Sequence, residues 1–204
     1  MKKIIFFTFI FLNFFVNLAQ AQEAKNYFRM DYGLGHFKSN QMEALNVRPT
    51  GNTYGLAFGS KFQYVELGGF YRKNSFEADF THDSLNNKIL HQGSNYGLEM
   101  NIFLNQRLSL KLGYTISSFT EKLSTAVSAQ TMTAIRSTYG LEESHTSSKV
   151  FYGASFDFFG NQNFDLYASV IHFPASGNKS TTTAQVGFRI YMKSIVETFF
   201  SHRD

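Results

Sequence analysis

Charged side chains that could do chemistry stand inside segments where apolar and polar residues alternate. They are Arg29, Asp31, Lys61, Glu66, Arg72, Glu99, Lys111, Lys149, Asp157, Asp165 and Arg189, six basic and five acidic. All fall on the polar face of their segments, where charges withdrawn from water must pair. Arg29, Asp31, Glu66, Arg72, Glu99, Lys111, Lys149, Asp157, Asp165 and Arg189 are therefore the candidate ion-pair residues. A second set is His172 and Ser176, in Val170-Ile171-His172-Phe173-Pro174-Ala175-Ser176-Gly177-Asn178. A serine nucleophile needs its histidine within hydrogen-bond reach and a carboxylate behind the imidazole. Four residues of extended chain span about 13 Å, so His172 and Ser176 meet only if the chain folds back at Pro174–Gly177. No acid follows on the last alternating segment, and the expectation is a protein that is not an enzyme.

Metal and cofactor chemistry find no support. The 6 histidines are scattered without ligand spacing, and the chain has 0 cysteines for thiolate sites or disulfides. Gly33-Leu34-Gly35 continues an alternating segment and opens no helix, so it is not a phosphate loop. The formal charge of +4 includes Lys2 and Lys3 of the leader described below; without them it is +4 − 2 = +2. That is too little to argue for nucleic acid or for a polybasic membrane patch.

These residues must be positioned by strands. The chain carries 24 Phe, 11 Tyr and only 2 Pro, a composition that favours β-structure. Eight alternating segments run over 27–38, 52–62, 63–75, 94–104, 107–119, 148–159, 163–173 and 182–193. Each has about the length of a tilted membrane strand. In the fourth, Tyr96, Leu98, Met100 and Ile102 share one face, and Asn95, Gly97, Glu99 and Asn101 the other. Short turns are expected at Lys61-Phe62-Gln63, Asn105-Gln106-Arg107 and Gly160-Asn161-Gln162-Asn163. Longer polar loops are expected at 39–51, 76–93, 120–147 and 174–181. Short connections on one side and long ones on the other fit a barrel crossing a bilayer. Tyr54, Tyr96 and Tyr152 each begin a strand descending from a long loop, where amphipathic rings would sit at the outer interface.

The N-terminus reads Met1-Lys2-Lys3, an apolar run from Ile4 to Val16, then Ala19-Gln20-Ala21. This has the form of a signal peptide over 1–21, cleaved before Gln22. The barrel is expected over 22–193 and a short tail over 194–204. Past the leader, no apolar run approaches the roughly 18 residues of a membrane helix.

The polar face decides between a membrane barrel and a soluble one. Besides the charges it carries Gly33, Gly35, Gly55, Gly59, Gly68, Gly97, Gly113, Gly153 and Gly187. On a water-facing surface those glycines weaken strands without a packing gain; inside a narrow lumen they make room for long side chains opposite. A lipocalin-like barrel also fits poorly with 0 Trp.

With segments such as Tyr96–Leu104 and Leu108–Ser117, the chain resembles the small outer-membrane β-barrels of the OmpA/OmpX and OmpW-like group. The resemblance implies an eight-stranded antiparallel up-and-down barrel, monomeric, in the outer membrane and contacting its lipids. It further implies a largely filled polar lumen, with surface interaction through the long loops, above all 120–147. A narrow conduit for small solutes is the alternative, since Phe37, Phe70 and Phe151 also point inward by phase. A lipid A-modifying hydrolase using His172 and Ser176 is the other alternative. The lipid A deacylases are similar to this stretch only in outline, because Pro174 stands where their serine should be.

Overall fold

A computed structural model describes residues 24–82, 84–123 and 128–192. The expected leader, the cleavage point before Gln22 and the tail lie outside the described residues. Eight strands form one closed barrel. They are β1 (Lys25–Lys38), β2 (Thr50–Lys61), β3 (Val65–His82), β4 (Leu85–Phe103), β5 (Leu108–Leu123), β6 (His145–Gly160), β7 (Phe164–Pro174) and β8 (Ser180–Met192). Each pairs antiparallel with the next, and β8 closes on β1 through pairs such as Arg29↔Arg189. Two helices lie between strands: α1 (Asn40–Ala44) after β1, and α2 (Ala129–Tyr139) after β5. Among the described residues, no helix is long and apolar enough to cross a membrane.

The period-2 pattern sets the two faces. Met30, Tyr32 and Leu34 of β1, Tyr54, Leu56 and Phe58 of β2, and Leu108, Leu110 and Leu112 of β5 are exposed outward. The alternate residues Arg29, Asp31, Thr53, Ser109 and Lys111 are buried inside. The outward apolar belt has an upper edge. Tyr71 is followed outward by Lys73, Ser75, Glu77 and Asp79, all exposed. Tyr152 and Val150 give way to Ser148 and Thr146. Exposed Tyr32, Tyr54, Tyr71, Tyr96, Tyr114 and Tyr152 mark this edge, the position that amphipathic rings take between lipid and water.

The glycines of the inward face leave the room that the sequence suggests. A Cβ at Gly55 would collide with the Asp31 carboxylate, at Gly187 with the Tyr167 ring and at Gly113 with Phe151.

The lower connections are the expected short turns. Asn105 Oδ1 accepts from the backbone N–H of Arg107 and Leu108, both at 2.8 Å. Asn161 Oδ1 does the same for Asn163 and Phe164 at 2.9 Å. Each asparagine thus closes its own turn. The β6–β7 register shifts between Asp157 and Phe159, a bulge that leaves Phe158 and Phe159 both exposed.

The upper connections depart from the four long polar loops that the sequence suggests. Residues 76–93 are mostly strand, because β3 and β4 stay paired from Phe76↔His91 to His82↔Leu85. Segment 120–147 holds α2, begun by Ser128, whose hydroxyl accepts from the Thr131 N–H, and ended by Gly140 at φ 63. Segment 39–51 holds α1. Residues 175–179 form a tight turn, with Gly177 and Asn178 at φ 65 and 60.

Candidate functional site

Below the mouth the lumen is filled by two ion-pair clusters. In the first, Arg29 Nη2 donates to Glu99 Oε2 at 2.7 Å, and Lys111 Nζ stands 3.7 Å from the same oxygen. Arg72 Nη2 donates to Asp31 Oδ1 at 3.1 Å and to Gln185 Oε1 at 2.9 Å. Tyr167 donates its hydroxyl to Asp31 Oδ2 at 3.0 Å. In the second, Arg189 Nη1 reaches Asp165 Oδ2 at 2.7 Å and Asp157 Oδ2 at 3.3 Å. Its Nε lies 3.0 Å from Glu66 Oε1 as an ion pair, without hydrogen-bond alignment. Asn101 donates to Glu66 Oε2 at 2.7 Å, and Lys61 Nζ stands 3.4 Å from Asp165 Oδ2. The ring of Tyr167 joins the clusters, with Arg29, Lys111 and Arg189 at 5.7, 5.9 and 5.4 Å from its centroid. Cations over an aromatic face are attracted by its quadrupole.

Nine of the ten candidate ion-pair residues thus come together. Lys149 does not. It shares the phase of buried Ser147 and Phe151, yet its side chain is exposed and has no ion pair among the described residues. The β6–β7 ladder ends at Tyr152↔His172, so Lys149 lies where β6 outruns its neighbour and water replaces a buried partner.

Against the Arg72 guanidinium, which lies 5.2 Å from the Phe173 ring centroid, Phe70, Phe151 and Phe173 form an aromatic collar, with centroids 5.1 Å apart for Phe70–Phe151 and 5.0 Å for Phe151–Phe173. Higher still, His91 stacks on Phe37 at 3.8 Å and faces Glu121, its Nδ1 3.3 Å from Oε1. This level lies past the apolar belt. Burial lowers the imidazole of His91 below its ordinary pKa, against the pull of Glu121. Burial works to raise the Glu121 carboxyl, but His91, the Glu142 backbone and Lys179 bring it below the usual range.

The mouth itself is capped by a small apolar core. Met42 of α1 and Ile135 and Tyr139 of α2 pack with Phe37, Phe76, Phe80 and Ile89 of the overshooting strands. Sequence reasoning missed this cap. Its signals were a Ser128 N-cap, Ile135 and Tyr139 four apart, and Gly140 at the helix end.

His172 and Ser176, which could form a hydrolase pair only by a fold-back of the chain, do not meet. His172 Nδ1 is 2.9 Å from Thr182 Oγ1. Pro174 keeps β7 extended up to the turn, so Ser176 is carried away from it and meets His145 Nε2 at 2.6 Å.

No protein-family model matches the sequence, and neither does any curated protein. Solved structures do match in fold. Ail, the attachment invasion locus protein of Yersinia pestis, aligns with TM-score 0.51 at 15% identity, covering 84% of this chain and 100% of that one. Neisserial surface protein A aligns at TM-score 0.47 and 14% identity, over 84% of this chain and 100% of that chain. OprG of Pseudomonas aeruginosa aligns at 0.47 and 10%, over 86% and 99%. With its closed eight-strand topology and outward apolar belt, the chain has the fold of the small eight-stranded outer-membrane β-barrels.

Proposed function

We propose that this is a closed outer-membrane barrel that works as a surface-interaction protein, presenting its cap to the exterior and assigning no chemistry or transport to its lumen. The observation that carries the reading is the double closure. Ion pairs fill the middle of the barrel, and the apolar core around Ile135 and Tyr139 covers its mouth. A conduit would need both of these to be absent. The surface left to the outside is a folded one, and rigid elements present a binding face at lower entropic cost than mobile loops. An attachment role of the kind in Ail's name suits such a face. Membrane lipids are the partners of the belt, and a single chain closes the barrel without a second copy.

The test is a glycan and matrix-protein array probed with cells displaying the wild type or a variant with residues 128–142 replaced by a Gly-Ser linker. Cap-dependent binding is expected. Proteoliposomes that swell in small sugars, from cells that bind nothing above empty-vector controls, would favour the channel alternative.

A further inference from the structure

At the extracellular rim, three side chains from two segments stand in a line. Ser176, on the turn between β7 and β8, places its Oγ 2.6 Å from His145 Nε2. On the other edge of the imidazole, His145 Nδ1 lies 2.7 Å from Glu142 Oε2. A carboxylate at Nδ1 keeps the proton on that nitrogen and leaves Nε2 free to accept from the serine hydroxyl. The acid is itself held: Lys179 Nζ is 3.1 Å from its other oxygen, Oε1. The His145 side chain is 15% exposed and that of Glu142 43%, so the imidazole is shielded while water reaches the site. On the same turn, the N–H groups of Gly177 and Asn178 donate no backbone–backbone hydrogen bond among the described residues, and both residues are exposed. They are free to meet a developing oxyanion.

We propose that Ser176, His145 and Glu142 form a serine-hydrolase triad that cleaves short-chain carboxylic esters reached from the water side. Ser176 Oγ attacks the ester carbonyl carbon as its proton passes to His145 Nε2. The tetrahedral oxyanion collapses, the bond from carbonyl carbon to alkoxy oxygen breaks, and the departing alkoxide takes the proton from His145. Water then attacks the acyl-serine, giving its proton to His145. The carbon–Oγ bond breaks, the acid leaves, and His145 returns the proton to Ser176. Glu142 stabilises the imidazolium in both halves. The chain-length preference follows from position. Outward residues of β6 turn polar at Ser148 and Thr146 before His145 is reached, so the triad lies above the belt that would hold a long acyl chain.

This inference goes beyond the surface-interaction reading and is independent of whether the lumen conducts. The same hydrogen bonds also fasten the turn to β6 above the end of their ladder at Tyr152↔His172, and a clasp alone would not make the serine reactive. The test uses the full-length protein folded in detergent micelles, with a fluorophosphonate probe followed by intact mass and with p-nitrophenyl acetate hydrolysis. One probe adduct on Ser176 is expected. Ser176→Ala should lose the adduct, and both it and His145→Gln should lose about 100-fold or more of the hydrolysis rate. Heat-modifiable gel mobility confirms that each variant is folded. A wild type that takes no probe, or hydrolysis equal in wild type and Ser176→Ala, would overturn the triad. Faster turnover of p-nitrophenyl palmitate than of the acetate would overturn the short-chain assignment.

Discussion

The lumen shows why a charge inside a barrel has to be judged by its partner. Glu99 is 4% exposed and serves both Arg29 and Lys111. Glu99→Ala leaves Lys111 buried without its carboxylate and Arg29 with Asp31 at 3.7 Å, which costs about 3–5 kcal/mol because neither regains its water. The urea midpoint of folding into lipid vesicles should fall accordingly. Lys149 shares the inward phase but faces water, so Lys149→Ala should change stability by no more than about 0.5 kcal/mol. Equal losses in the two variants would contradict the burial difference. The ten inward charges of the two clusters balance. Arg29, Lys61, Arg72, Lys111 and Arg189 stand against Asp31, Glu66, Glu99, Asp157 and Asp165, giving +5 − 5 = 0.

Among the elements, the overshooting strands and the two helices make the cap a small folded unit with its own pH response. His91 folds with a pKa below its ordinary 6.5 and Glu121 with one below 4.5. A depressed histidine contributes stability that is complete above 6.5 and lost as pH falls, because the unfolded imidazole takes the proton first. The depressed carboxyl adds a second loss below 4.5, with the same sign. Protection factors of the amides in Phe76–His82 and Leu85–Ile89 should therefore fall as pH drops from 7 to 4, and protection unchanged over that range would refute this. Ile135→Ala, which empties part of the cap core, should loosen the same amides by about 2–5 kcal/mol at most.

How much of this was legible follows from the physics of each part. Strands within the bilayer announced themselves because lipid demands unbroken alternation, as in Leu108, Leu110 and Leu112 against Ser109 and Lys111. The strand halves above the belt resemble loop in sequence because their outward face is polar: Glu77, Asp79 and Lys88 flank inward Phe76, Phe80 and Ile89. In segment 120–147 the helix buries Ile135 and Tyr139 alone, too short an apolar pattern to mark it within an otherwise polar stretch. The rim pairing of Ser176 with His145 was not legible, since it joins residues 31 apart through a turn whose tightness sequence did not reveal.

For the whole molecule, the membrane position and the closure are separate statements. The belt from Met30–Leu34 round to Val186 and Ile190 fixes the barrel in lipid; the ion pairs and the cap decide whether anything passes. Because the two closures lie at different heights, opening one should leave the other in place. A variant lacking the cap helix should remain nearly non-conducting, and Glu99→Ala with the cap intact should show only small, flickering currents. Single-channel recording of the wild-type protein in planar bilayers tests the closed barrel most directly. No stable open level is expected at moderate voltage, and a large, long-lived open conductance in the wild type would contradict a closed barrel.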